Sequence, residues 1–183
     1  MGKRLATAAV GIPAAIFIIN YGQWVFGLTI LLLSTVAWHE YVRMVENIAI
    51  KPSYGQGLAI IIAILLAAWL KTPAIFTGVL VFAVLAMLAT TVFRYGEFSL
   101  KDAAVTLLGI LYVGIPFSHL LLLRYLDTGG WLQQDITPIG AWYLWLAFLG
   151  TWASDSFAYF VGIKYGKTKL APAVSPAKTR EGA

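Results

Sequence analysis

The stretch Ile139-Gly-Ala-Trp-Tyr-Leu-Trp-Leu-Ala-Phe-Leu-Gly-Thr-Trp-Ala-Ser-Asp-Ser-Phe-Ala-Tyr-Phe160 decides how this chain is to be read. At 1.5 Å of rise per helical residue it is long enough to cross a hydrocarbon layer of about 30 Å. Its single charged side chain is Asp155. An acid inside such a span costs ~2.5–3.5 kcal/mol on insertion scales unless something compensates it. The stretch therefore predicts a membrane helix, and the carboxylate in it asks for a reason.

Working outward, further apolar runs cover Leu5–Tyr21, Trp24–Val42, Leu58–Leu70, Ala74–Phe93 and Ala104–Leu123. The third is short and must borrow Gln56, Gly57 or Lys71 to reach across, or lie partly re-entrant. With 60% hydrophobic residues, 11% charged and a mean hydropathy of +0.81, there is too little polar surface to cover a soluble core. The expected fold class is all-α: a polytopic integral membrane protein with about six transmembrane helices. The opening Met1-Gly-Lys-Arg4 resembles a secretory leader, but the apolarity continues past one segment and no small-residue cleavage site ends it. It reads as the start of the first span.

The charges give an independent test of topology. Placing the N-terminus inside puts Lys3, Arg4, Arg43, Lys51, Arg94, Lys101, Lys164, Lys167, Lys169, Lys178 and Arg180 on the cytoplasmic side, eleven of the 13 cations. Only Lys71 and Arg124 fall outside. Six crossings with both termini cytoplasmic follow. The net charge of +5 is then a topology and lipid-headgroup signal, and no nucleic-acid partner is expected. The absence of cysteine removes disulfide frameworks and thiolate metal sites. Breakers at Tyr21-Gly22, Lys51–Gly55, Thr72-Pro73 and Asp127–Gly130 separate the runs, with no internal repeat. The domain reading is a transmembrane helical domain at 1–162 and a basic cytoplasmic motif segment at 163–183. Trp131, Trp142 and Tyr143 are expected interfacial anchors.

Asp155 lies within about a turn and a half of the cytoplasmic end of its span, within reach of the cytosol. Thr151, Ser154, Asp155, Ala158, Tyr159 and Gly162 recur at three-and-four spacing, a face expected to meet neighbouring helices, opposite Trp152, Phe157 and Phe160. After it, Ser175-Pro176 predicts a helix start: Ser caps and Pro suits the first position. Amides there, with Lys178, Thr179 and Arg180, would bind phosphate, and Gly162 and Gly166 would let backbone approach a bulky ligand. Hard oxygen ligands beside phosphate suit Mg²⁺, with Asp155 as its carboxylate. The bland alternatives are an acid that only ties helices together and cations that only orient the chain. His39 and Glu40 read as interfacial groups, and His119 as a buried hydrogen-bonded histidine. A channel or transporter would need a second mid-depth acid or base to continue a relay, and none is evident.

Asp155-Ser-Phe-Ala-Tyr-Phe-Val-Gly162, Lys164-Tyr-Gly-Lys-Thr-Lys-Leu-Ala-Pro172 and Val174-Ser-Pro-Ala-Lys-Thr-Arg-Glu-Gly182 resemble the central motif block of the phosphatidate cytidylyltransferases, or CDP-diacylglycerol synthases. The Lys3-Arg4 start and Ala37-Trp-His-Glu-Tyr41 are similar to that family as well. The resemblance implies an Mg²⁺-dependent membrane enzyme, usually a homodimer, converting CTP and phosphatidate to CDP-diacylglycerol and pyrophosphate in phospholipid biosynthesis. A bacterial inner membrane with the site facing the cytosol is the implied setting. Asp155 and Lys178 would be catalytic, with Asp155 holding the metal. Ser175, Thr179 and Arg180 would bind substrate, and Lys164, Lys167 and Lys169 would draw in anionic CTP and phosphatidate. Members of that family continue into a further block with Lys-Asp, His-Gly-Gly and paired aspartates, so this chain reads as the N-terminal two-thirds of one, inactive by itself. The alternative enzyme is a CTP-dependent prenol or dolichol kinase.

Overall fold

The computed structural model describes residues 2–126, 139–172 and 175–183, with backbone alone for residues 2–8 and Ala177. Six helices run through them: α1 (Gly2–Tyr21), α2 (Gln23–Glu46), α3 (Tyr54–Trp69), α4 (Pro73–Phe93), α5 (Leu100–Arg124) and α6 (Ile139–Tyr165). Each falls on one of the six apolar runs. The expected breaker at Asp127–Gly130 and the anchor Trp131 lie outside the described residues. Two compact units result, Met1–Ala141 and Trp142–Ala183.

In the first unit α5 packs against α2, α3 and α4, while α3 also meets α2 and α4. Trp38, Ile61, Ile64, Met87, Ile110 and Leu121 form its fully buried centre. Two glycines make room for the aromatic pair of α2. A β-carbon on Gly57 would stand 2.1 Å from the Trp38 ring, and one on Gly109 would stand 2.2 Å from the Tyr41 ring. The two rings stack at 5.7 Å. Their polar ends are satisfied too: Trp38 Nε1 donates to the Tyr54 carbonyl at 3.1 Å and the Tyr41 hydroxyl to the Val105 carbonyl at 2.8 Å.

Three side chains close helix ends in this unit. Ser99 and Asp102 form a capping box at the start of α5. Asp102 also accepts from the Lys51 amide at 2.7 Å, and Thr106 accepts from the Ser53 amide at 3.0 Å, which fastens the α2–α3 connection to α5. At the other end, the buried Arg124 donates through Nε to the Ile19 carbonyl at 2.8 Å and through Nη2 to that of Asn20 at 3.3 Å. Terminal carbonyls of α1 lack intrahelical partners, and a guanidinium both satisfies them and complements the helix dipole. Gly22 follows at φ +65°, where a β-carbon would strike that guanidinium. Arg124 thus serves α1 at a helix terminus, whatever it contributes to charge asymmetry.

The outer surface of the bundle is apolar. Helix α4 buries Ala83, Met87 and Thr90 and presents Val81, Phe82, Val92 and Phe93 outward. Among the described residues three helices, Gln23–Glu46, Pro73–Phe93 and Leu100–Arg124, are long and apolar enough to cross a membrane. Ala9–Tyr21 and Tyr54–Trp69 are shorter apolar helices. The 16 residues of α3 extend only about 24 Å, as the short third run implied. Large apolar side chains facing out of helices whose backbone bonds are satisfied internally are what a lipid solvent selects.

Candidate functional site

All the predicted site residues lie in the second unit. Helix α6 continues past Phe160 to Tyr165, after which β1 (Lys169–Ala171) pairs antiparallel with β2 (Ser175–Thr179). Lys169 is the partner of Thr179 and Ala171 that of Ser175. A single 3₁₀ turn, Arg180–Gly182, completes the tail.

The helix start expected at Ser175-Pro176 is therefore not formed: both residues are in a strand. The segment lacks apolar residues at helical spacing, and pairing with 169–171 satisfies its backbone instead. Pro176 is tolerated because each strand of a two-stranded ladder is an edge. The phosphate site drawn from a helix N-terminus goes with it, and Lys178, Thr179 and Arg180 must act, if at all, from a hairpin.

That hairpin returns onto α6. Thr179 is buried, and its Oγ1 lies 3.3 Å from where a β-carbon on Gly162 would stand and 2.6 Å from the same position on Gly166. A β-carbon on Gly182 would meet the Ala158 carbonyl at 2.7 Å and Gly162 Cα at 2.8 Å. The small residues expected to admit a bulky ligand instead admit the chain's own tail. Thr179 Oγ1 is left buried with no hydrogen-bond partner among the described residues. Orphaned buried hydroxyls are uncommon, because each forfeits its hydration without replacement.

Asp155, Ala158, Gly162 and Gly166 follow one helical stripe, so the carboxylate lies one turn beyond the point reached by Gly182. Asp155 is exposed and has no partner among the described residues. Thr151, Ser154 and Tyr159 are exposed as well, and Thr151 donates only to the Ala147 carbonyl of its own helix. The tail covers the C-terminal end of this face. The register shifts between Lys169 and Ala171, and along β2 Ser175 is half-buried, Lys178 exposed and Thr179 buried. Lys164, Lys167, Lys169, Lys178 and Arg180 are all exposed, and none forms an ion pair among the described residues. The Lys164 ammonium lies 5.3 Å from the Tyr165 ring centre.

One functional-looking residue was given no role from sequence. Glu181 accepts from the amides of Lys167 at 3.1 Å and Thr168 at 3.2 Å. Backbone donation, first from its own amide and then from those of Lys167 and Thr168, holds its carboxyl below the ordinary value of 4.5. A lone acid inside a run of cations was the available signal. Elsewhere, His39 is exposed with its ring edge-on to Tyr54, and Glu40 is exposed. His119 is exposed rather than buried, although its Nδ1 does pair with the Ile115 carbonyl at 2.9 Å. A cavity of about 350 Å³ in the first unit, lined by Lys71, Phe76, Leu122 and Tyr125 among others, contains none of the predicted site residues.

The cytidylyltransferase family model matches residues 2–183. The chain belongs to the cytidylyltransferase family. It is 30% identical to a phosphatidate cytidylyltransferase of Bacillus subtilis (strain 168) over 186 residues, 100% of this chain and 65% of that protein. Similar proteins of the same name from Synechocystis sp. and Staphylococcus haemolyticus are 29% and 31% identical over 98% and 100% of this chain, and 66% of each relative is covered. The chain thus spans slightly less than two thirds of the length of these relatives. No solved structure matches it.

For a cytidylyltransferase-family chain the question of a metal follows. No group of three His, Cys, Asp or Glu side chains capable of holding one exists among the described residues. Asp155 nevertheless fits Mg²⁺ as a single ligand. It is an exposed, unpartnered oxygen donor, and Mg²⁺ is commonly bound through one or two carboxylates with substrate phosphates and water completing its shell.

Proposed function

We propose that this chain is the membrane-embedded and motif-bearing part of a phosphatidate cytidylyltransferase, making CDP-diacylglycerol and pyrophosphate from CTP and phosphatidate. The observation that carries this is the family match, which runs from residue 2 to residue 183 and so spans both the bundle and the hairpin. The named relatives support the same substrates. In this reading the protein lies in a bacterial inner membrane as a homodimer, with six crossings and both ends cytosolic. The asymmetry of the cations supports that orientation.

In the proposed reaction a phosphate oxygen of phosphatidate attacks the α-phosphorus of CTP and the pyrophosphate leaves. The protein chiefly positions the partners and offsets charge. Asp155 would hold Mg²⁺, whose chemistry when bound is neutralisation of phosphate charge. Lys178 contributes a compact cation to a phosphate oxygen, and Lys164, Lys167, Lys169 and Arg180 raise the local concentration of anionic substrates. Ser175 offers a hydroxyl at the hairpin's edge. The buried Thr179 serves by seating the hairpin on α6.

The test is an assay of the full-length protein with radiolabelled CTP and phosphatidate, resolving lipid products and pyrophosphate. CDP-diacylglycerol formation that requires a divalent cation is expected. Transfer of a phosphoryl group from CTP to a lipid alcohol, with no CDP-lipid formed, would replace the reading by a lipid kinase.

A further inference from the structure

The basic segment is closed by an acid that the proposed chemistry leaves unused. Glu181 is fully exposed to solvent and surrounded in sequence by Lys167, Lys169, Lys178 and Arg180, yet its carboxylate pairs with none of them among the described residues. It turns instead to backbone. Both oxygens accept from the Thr168 amide at 3.2 Å, and Oε2 also accepts from the Lys167 amide at 3.1 Å. Consecutive amides of this kind form a small concavity suited to an anion, and here the chain fills it itself. In the reverse direction the Arg180 amide donates to the Thr168 carbonyl at 2.9 Å. Lys169 pairs with Thr179 in the ladder, and Thr179 seats in the Gly162 and Gly166 notch.

These contacts tie the connection after α6 to the tail at three successive points while neutralising no lysine. An acid placed to form salt bridges would cancel the charge that an anionic ligand needs. One that binds amides fixes the same loop and leaves each ammonium free. We propose that Glu181 is a positioning residue that locks residues 167–168 against the tail, so that Lys167 is presented preformed and unneutralised to a nucleotide triphosphate. This deepens the reading of the chain as a cytidylyltransferase and rests on it.

The experiment uses the full-length protein with Glu181→Ala and Glu181→Gln, reading kcat and KM for CTP together with amide hydrogen exchange across 164–183. Slowed exchange at Lys167 and Thr168 in the unaltered protein should be lost in Glu181→Ala, and KM for CTP should rise roughly tenfold with kcat changed much less. Glu181→Gln keeps the size and one acceptor oxygen and should show an intermediate rise of about threefold. Fast exchange at both amides in the unaltered protein overturns the proposal, and so does a KM for CTP that neither variant changes. If Glu181→Ala does not fold, Glu181→Gln decides by the same two readings. A full-length protein that makes no CDP-lipid at all counts against the enzymatic reading, while the exchange comparison still settles whether the clamp exists.

Discussion

The Thr179 hydroxyl lies 2.6 Å from where a β-carbon on Gly166 would stand, so these two residues together close the α6 notch to any larger side chain. The same added carbon would also come within 2.2 Å of the Gly162 carbonyl. Gly166→Ala must therefore push the hairpin off the helix. In the full-length protein it is expected to speed protease cleavage between 166 and 183 and to lower activity at least tenfold. Gly150→Ala, on the same helix with nothing within 4 Å, is the control and should change neither. Equal cleavage rates in the two variants would remove the notch from the argument.

Asp155→Asn preserves size but removes the anionic charge a metal ion needs. In the full-length protein, turnover across an Mg²⁺ titration should fall by about 10² or more while folded protein is recovered in normal yield. Lys178→Ala removes a phosphate contact and should show itself first in KM for an anionic substrate. Near-normal turnover in Asp155→Asn at every Mg²⁺ concentration would reduce the carboxylate to a surface group.

Acid should loosen the hairpin in a defined direction. The folded-state value of Glu181 is depressed, so the stabilisation it gives is fully present above the ordinary 4.5 and is lost as pH falls through the lower folded value. The neighbouring Lys164, Lys167, Lys169, Lys178 and Arg180 stay charged throughout that window. Asp155 on α6 is the other acid of this unit, so the comparison is made in an Asp155→Asn background. Protection of the Lys167 and Thr168 amides, taken as the ratio of intrinsic to observed exchange rate, should fall below pH 4.5, and Glu181→Gln should abolish that fall. A profile unchanged by that substitution would assign the transition to another group.

Gly57 and Trp38 offer a test within the bundle. A methyl group at Gly57 would overlap the indole, which is fully buried, so the ring or the helix must move. Gly57→Ala is expected to destabilise by ~1–3 kcal/mol, read as a lower melting temperature in detergent. Gly55→Ala, two residues away in open space, should lie within about 0.5 kcal/mol of the unaltered protein.

The orientation is tested by labelling. Ser175→Cys is partly exposed in the hairpin, and the chain has no other cysteine to confuse the reading. A membrane-impermeant thiol reagent should reach it only from the cytosolic side. Labelling confined to the opposite side would invert the topology and separate the hairpin from cytosolic nucleotide.

What the sequence by itself determined is the helical frame. Apolar run length is a local property, because a helix satisfies its own backbone and needs only a lipid-compatible surface, so all six helices lie where hydropathy placed them. Asp155 was legible for the same reason: one acid in an apolar run needs no partner to stand out. The Ser99 and Asp102 capping box was written at its usual spacing but was not read. What only the tertiary structure decided depends on residues distant in the chain. Ser175–Thr179 carries the local signature of a helix start and became a strand, because pairing with Lys169–Ala171 satisfies backbone groups that neither segment can satisfy alone. Gly162 and Gly166 announced a close approach without saying of what, and the answer, Thr179, lies beyond a turn. Arg124 looked like a stray charge until folding brought it to the open carbonyls of α1, more than a hundred residues away in sequence. Local apolarity fixes where helices form; hydrogen-bond satisfaction across the fold fixes what their polar residues do.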